Sequence, residues 1–265
     1  MRAPLLVATD VDGTLLDPAD RVAARTAAVV ARLVARGVGF VLVTGRPPRW
    51  ISPVVAQVGV AGLTVCANGA VIYDAAAEQV VAAHTLDAAT LADLAAAVSD
   101  VLPEAGIAVE RVGLSGEHFM AEPSYRHAWV GSDHTLLPRA ELVEMPAVKM
   151  LVRDPALTSD AMVAALAPVV GSAGDLTFSH SGGLVEISAP GVTKATGLAE
   201  VAAAVGVAAA DVIAFGDMPN DLEMLRWAGH GVAMGNAHPA LRAVADEVTA
   251  TNAQDGLALV LERWF

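Results

Sequence analysis

Two runs near the amino terminus, PLLVATD (4–10) and VGFVLVTG (38–45), are apolar along their length instead of alternating with polar residues. Strands of that kind are buried on both faces, as in a parallel sheet flanked by helices. Between them, RVAARTAAVVARLVARG (21–37) spaces its apolar residues as a helix does and ends at Gly37. PPRWISPVVAQVG (47–59) supplies a second helix, opening on Pro47 and Pro48, and LTVCANG (63–69) a third strand. Strand, helix, strand, helix, strand is the rhythm of a doubly wound α/β sheet. It resumes toward the carboxyl terminus with helix KATGLAEVAAAVG (194–206), strand DVIAFGD (211–217) and helix NDLEMLRWAG (220–229). Strand HGVAMGN (230–236), short helix PALRAVAD (239–246) and amphipathic helix DGLALVLERWF (255–265) close the chain.

From about residue 80 to 190 the pattern changes. HTLDAATLADLAAAVSDVL (84–102) and TSDAMVAALAPVVG (158–171) read as helices. IAVERV, GEHFMAE, AVKMLVR, DLTFSH and GLVEIS read as short strands that do not alternate regularly with helices. The expectation is an α+β module, residues 80–190, inserted into an α/β core made of 1–79 and 191–265. No repeat or low-complexity linker interrupts it.

Composition narrows the function. A length of 265 residues allows a large core, and 16 basic against 29 acidic side chains, net charge −13, argue against nucleic-acid binding. The single Cys66 rules out an internal disulfide framework and, among apolar neighbours, reads as a small core residue. The mean hydropathy of +0.53 raises the question of a membrane span. The longest uncharged stretch, Trp50 to Tyr73, is broken by Pro53, Gln57, Gly59, Gly62, Asn68 and Gly69. Asp10 and Asp12 interrupt any signal-peptide core. These features lead us to expect a soluble, cytoplasmic protein without membrane association, as a monomer or homodimer.

Four polar islands break the apolar pattern: DVDGT (10–14), TGR (44–46), KAT (194–196) and GDMPND (216–221). Asp10, Thr44 and Asp217 each follow a strand, and the carboxyl ends of the strands form the ligand crevice of such sheets. Lys194 opens a helix near the same edge, its amine directed inward. Each has an ordinary structural explanation: an Asx turn, a threonine turn, a surface lysine, a helix cap. Three acids, a hydroxyl and a lysine on one rim suit a more specific chemistry, phosphoryl transfer. Attack by a carboxylate on an anionic ester requires neutralisation, here by a divalent cation and Lys194. Asp10 and Asp217, with Asp221 as a third, are hard oxygen ligands suited to Mg²⁺. Thr44 and backbone N–H groups would hold the non-bridging oxygens. Asp12 would be the acid and base, and pairing with Asp10 would raise its pKa toward that task.

These motifs resemble the haloacid dehalogenase-like hydrolases, specifically the Cof-type sugar-phosphatase branch. DVDGTLL matches the nucleophile motif, VTGR the threonine motif, the lysine of GVTKATGL the third and FGDMPNDLEM the acidic fourth. ANGA (67–70) and QDGLA (254–258) also fit the branch, and the inserted module matches its α/β cap. The resemblance implies a Rossmann-like core and an aspartyl-phosphate formed on Asp10, with Asp12 as general acid and base. It implies phosphate binding by Asp10, Thr44, Gly45 and Lys194. It also implies Mg²⁺ on Asp10, the Asp12 carbonyl and Asp217, supported by Asn220 and Asp221. The substrates it implies are small-molecule phosphate esters, sugar phosphates by the branch's name. Arg46, His118 and Arg126 are candidate substrate contacts, with His127, His180 and Glu186 behind them. Each of these also reads as a solvated or structural residue. A phosphosugar mutase, a receiver-like phosphoacceptor and a silent phosphosugar-binding protein are the rival readings. The second carboxylate, Asp12, argues against the phosphoacceptor because it favours turnover.

Overall fold

The computed structural model describes residues 2–112, 118–126 and 134–265. The chain divides into two compact units, Met1–Ala82 with Thr193–Phe265, and Ala83–Val192.

In the first unit, β1 (Leu6–Thr9), α1 (Ala24–Ala35), β2 (Gly39–Leu42), α2 (Ser52–Val58) and β3 (Leu63–Cys66) follow in order. The helix expected over 47–59 is two pieces, a 3₁₀ turn at Pro48–Trp50 and then α2, whose second residue is Pro53. Two further strands, β4 (Val71–Asp74) and β5 (Gln79–Ala83), pair with β3 in a sheet of their own, in the order β3-β4-β5. β3 touches the main sheet through one parallel bridge, Val43 to Val65.

The second unit holds α3 (Ala88–Val101), β6 (Gly106–Glu110), β7 (Phe119–Ala121), β8 (Thr135–Leu136) and α4 (Arg139–Leu142). It continues with β9 (Lys149–Arg153), α5 (Ser159–Val170), β10 (Asp175–Thr177) and β11 (Leu184–Ser188). Its sheet runs β10-β11-β9-β6-β7-β8, antiparallel except for the β7–β8 pair. Apolar residues of α3 and α5, such as Leu91, Leu94, Met162 and Leu166, form one core with Ile107, Val109, Met150, Val152, Val185 and Ile187 of the sheet. Each of these strands contributes alternate residues to that core, as the two-residue period of a pleated strand requires.

The chain then returns through α6 (Lys194–Ala204), β12 (Val212–Gly216), α7 (Leu222–Trp227), β13 (His230–Ala233), α8 (Pro239–Arg242), β14 (Glu247–Val248) and α9 (Gly256–Leu261). The main sheet is parallel throughout, in the order β14-β13-β12-β1-β2. From β1 the chain builds outward through β2 on one side; after the insertion it builds outward through β12, β13 and β14 on the other. The switch in direction lies between β1 and β12, where open α/β sheets place their ligand crevice. Asp10 and Asp217 sit at the carboxyl ends of those two strands. Among the described residues, no helix is long and apolar enough to cross a membrane.

Candidate active site

β1 is buried along its whole length, and Asp10 follows it with its N–H bonded to the Phe215 carbonyl of β12 at 2.9 Å. The chain then turns tightly through Val11–Leu15, with Gly13 at φ +81°. A side chain there would be excluded twice over: by that backbone conformation, and because a Cβ would lie 2.2 Å from Asp217 Oδ2. Gly13 thus lets the Asp217 carboxylate lie against the Val11–Leu15 turn. Thr14 Oγ1 donates to Asp217 Oδ1 at 3.2 Å.

Lys194 is 1% exposed, which requires a reason, since lysine is seldom buried unless paired. Its Nζ donates to Asp10 Oδ1 at 2.6 Å and to Asp221 Oδ1 at 2.7 Å. The helix that carries it starts at a fixed place because Thr193 and Thr196 cap each other reciprocally. The other oxygen of Asp221 accepts from the N–H groups of Asp217 and Met218, at 3.0 and 3.1 Å. Asp221 therefore holds the lysine and the acidic loop together.

Asp10, Asp217 and Asp221 each place an oxygen within 4.8 Å of the others, all buried. Two like charges at that distance repel by about 3–4 kcal/mol at an effective dielectric near 20. Burial pushes Asp10 up to about 7 despite the Lys194 ammonium, with Asp221 and Asp12 adding to the rise. Burial, then Asp10 and Asp221, push Asp217 up to about 9. For Lys194 the balance is reversed. Burial disfavours its charge, but Asp10 and Asp221 hold it well above the usual lysine value.

This arrangement fits a small divalent cation. The oxygens are carboxylates of the right hardness, and their crowding is costly without positive charge beyond Lys194. Asn220 Oδ1, buried and without a partner among the described residues, is an acceptor suited to a cation-bound water. Asp10 and Asp217 would be the carboxylate ligands: Asp221 is held by bonds of 2.7, 3.0 and 3.1 Å, Asp217 only by longer ones, 3.2 Å from Thr14 and 3.5 Å from Asn236.

Thr44 follows β2 at the same rim and is fully buried. Its hydroxyl accepts from Arg46 N–H at 3.0 Å, so the structural reading of this threonine as a turn residue also holds. The Arg46 side chain enters the site in a way the sequence does not reveal. Its Nε donates to Asp12 Oδ2 at 2.8 Å and its Nη2 to Asp12 Oδ1 at 2.5 Å. The partner that grips the Asp12 carboxylate is thus Arg46 rather than Asp10, because the turn after Asp10 carries the second side chain toward β2. Asn236 and Asn252 were also missed. Asn236 Nδ2 donates to the Gly13 carbonyl at 2.9 Å, and its Oδ1 accepts from Asn252 N–H at 3.0 Å. Asn252 Nδ2 in turn donates to the Leu16 carbonyl at 2.8 Å. These asparagines pin the turn after β1 from the segments that follow β13 and β14; their only sequence signal is placement in a loop after a strand.

The weaker candidates lie in the second unit. The His118 carbonyl accepts from Arg111 N–H, and the Arg126 carbonyl from Arg153 Nε. His180 Nδ1 accepts from Gly182 N–H, and burial pushes its pKa down. Glu186 pairs with Lys149 at 2.5 Å and accepts from Ser179 Oγ at 2.9 Å. His127 lies outside the described residues.

The profile of the haloacid dehalogenase-like hydrolases matches residues 7–261. The chain belongs to this family. It is an enzyme of the Cof-type branch and a phosphoric monoester hydrolase by class. It is 32% identical to the 5-amino-6-(5-phospho-D-ribitylamino)uracil phosphatase YitU of Bacillus subtilis, over 99% of this chain and 98% of the relative. It is likewise 32% identical to the HMP-PP phosphatase of Serratia proteamaculans, covering 98% and 94%. The solved structure of the subclass IIB sugar phosphatase BT4131 has the same fold, at a TM-score of 0.83, 21% identity and 98% coverage of both chains.

Proposed function

We propose that this hydrolase is a Mg²⁺-dependent phosphatase of small phosphorylated metabolites, sugar and polyol phosphates in particular, working through an aspartyl-phosphate on Asp10. The observation that carries the reading is the buried Lys194 bridging Asp10 and Asp221 beside Asp217. The phosphoribityl group named in the first relative's substrate is an alkyl phosphate of a polyol and supports the substrate class. The second unit would read the leaving group.

An oxygen of Asp10 attacks phosphorus and the ester P–O bond breaks. Lys194, the Thr44 hydroxyl and the Gly45 N–H balance the charge on the non-bridging oxygens. Asp12 gives its proton to the departing alkoxide. It then takes one from the water that attacks phosphorus, breaking the bond to Asp10 and restoring both carboxyl groups. Arg46 occupies both oxygens of Asp12, so it must yield at least one hydrogen bond when Asp12 carries a proton. Mg²⁺, when bound, would supply further charge neutralisation at the phosphoryl group.

Chelation is expected to abolish turnover of p-nitrophenyl phosphate, Mg²⁺ to restore it and Ca²⁺ to support little, since Ca²⁺ prefers more ligands at longer distances. The metal-free protein should also lose stability as pH rises from about 5 to 8. Folded Asp10 and Asp217 keep protons up to about 7 and about 9 that the unfolded chain releases near 4, so the folded state binds more protons in this window. Mg²⁺ should therefore raise the melting temperature more at pH 8 than at pH 6. Full activity in excess chelator would refute the metal requirement.

Asp12→Asn separates an acid–base enzyme from a phosphoacceptor or a binding protein. Single-turnover cleavage of a sugar phosphate should slow by roughly 10²–10⁴-fold, the usual contribution of such a group. The p-nitrophenolate burst should change less, because that leaving group departs as a stable anion, and the phospho-enzyme should then persist. Equal losses for the two substrates, in a variant that still binds Mg²⁺, would reject Asp12 as the acid.

A further inference from the structure

Between β3 and β4 three successive residues, Ala67, Asn68 and Gly69, have φ of 49°, 57° and 100°. Left-handed backbone is unfavourable for an alanine and tolerable for an asparagine. A run of this kind persists only where its surroundings impose it. Here three neighbouring segments do so. Ala67 N–H donates to the Arg46 carbonyl at 2.9 Å and Asn68 N–H to the Thr44 carbonyl at 3.0 Å, so the run hangs the Thr44–Arg46 turn from two points. Gly69 lies so close to the cap of α6 that a Cβ would meet the Thr193 carbonyl oxygen at 2.0 Å, one residue before Lys194.

The third contact is made by the Asn68 side chain, 2% exposed. Its Oδ1 accepts from Asn220 Nδ2 at 3.1 Å, and the same oxygen would lie 3.1 Å from a Cβ on Gly45. A carboxamide is almost symmetric in shape, so a neighbour must decide which end is the donor. Asn68 Oδ1, as the acceptor of this bond, engages Asn220 through Nδ2. It turns Nδ2 toward the Thr44 side and sends Oδ1 the other way, where it is buried without a partner among the described residues.

We infer that Asn68 is a positioning residue for phosphate: its main chain sets the Thr44–Gly45 turn, and its carboxamide orients Asn220 from the acidic loop. This rests on the phosphatase reading above. It adds a residue that touches no reacting atom and acts through two segments that would.

The test is a double-mutant cycle on inorganic phosphate affinity, measured calorimetrically with Mg²⁺ present and so without turnover. Asn68→Gly keeps the left-handed backbone and deletes only the carboxamide. Asn68→Gly and Asn220→Ala should each weaken phosphate by about tenfold, the worth of one well-placed hydrogen bond. The double variant should be no weaker than Asn220→Ala alone, because Asn68 acts through Asn220. The KM for p-nitrophenyl phosphate should rise in step. Should Asn68→Gly fail to fold, Asn68→Ser, too short to reach Asn220, replaces it with the same expectation. Losses that multiply, or either single variant binding phosphate as the parent does, would overturn the inference. A parent protein that binds no phosphate and hydrolyses no ester would instead overturn the phosphatase reading.

Discussion

Asp10→Asn is expected to lower kcat by at least about 10⁴-fold, the scale on which a covalent nucleophile is missed. A carboxamide is a poor nucleophile, and the substitution also removes one anionic ligand for the cation. The fold should survive, and there is a reason to expect more than survival in the metal-free protein. Burial and two neighbouring acids make the Asp10 charge costly. Neutralising it relieves repulsion while Lys194 keeps its bond to Asp221 at 2.7 Å. The melting temperature in chelator at pH 8 should therefore stay level or rise, even as activity disappears. Mg²⁺ should add less to it than to the parent protein. Turnover above a few per cent, in a preparation checked by mass spectrometry for deamidation back to aspartate, would exclude Asp10 as the nucleophile.

Lys194→Met should cost stability as well as activity. The lysine is 1% exposed, and its removal leaves Asp10 and Asp221 buried without their shared cation. Breaking one side of a buried ion pair costs roughly 3–5 kcal/mol, far more than loss of a surface pair. Chemical denaturation at pH 8 should show that loss. The gap to the parent should narrow as pH falls toward 5, because protonated carboxyl groups no longer need the ammonium. The sign follows from Asp10, whose folded-state pKa is already raised and would rise further without Lys194. A loss that does not depend on pH would point to packing rather than charge. Phosphatase activity should not return with added Mg²⁺, since on the proposed mechanism a cation held by Asp10 and Asp217 would not take the place of the ammonium.

The polar rim was readable as a rim because each of its members sits where a periodic pattern stops. Asp10 ends an apolar strand, Thr44 ends the next, and Lys194 follows a threonine cap, so their placement follows from strand and helix signals alone. LTVC was read correctly as a strand, but its sheet was not, because partner choice depends on β4 and β5 rather than on β3 itself. The two-residue β8 and β14 and the four-residue α4 are too short to display any period. The pairing of Arg46 with Asp12 and the contacts of Asn68, Asn236 and Asn252 were invisible for another reason. They are polar residues in loops, and their roles arise from contacts across the chain, such as Asn252 to Leu16. Nothing local marks such a residue apart from other turn formers.

The parallel sheet has a consequence for how the polypeptide leaves the ribosome. β1 is flanked by β2 and β12, and Leu6 stands opposite Val212. The first strand made is thus an interior one, and its edge toward β12 stays bare until Val212–Gly216 has been made. Ala83–Val192 is continuous in sequence, with mostly antiparallel pairing, and can close on its own contacts during that interval. The loop after β1, by contrast, stays unfinished, since the groups that grip Asp10, Gly13 and Leu16 come from residues 194, 236 and 252. A truncated chain would expose Asp10 with no lysine beside it, so on the proposed mechanism an incomplete product of synthesis would carry none of the hydrolytic chemistry.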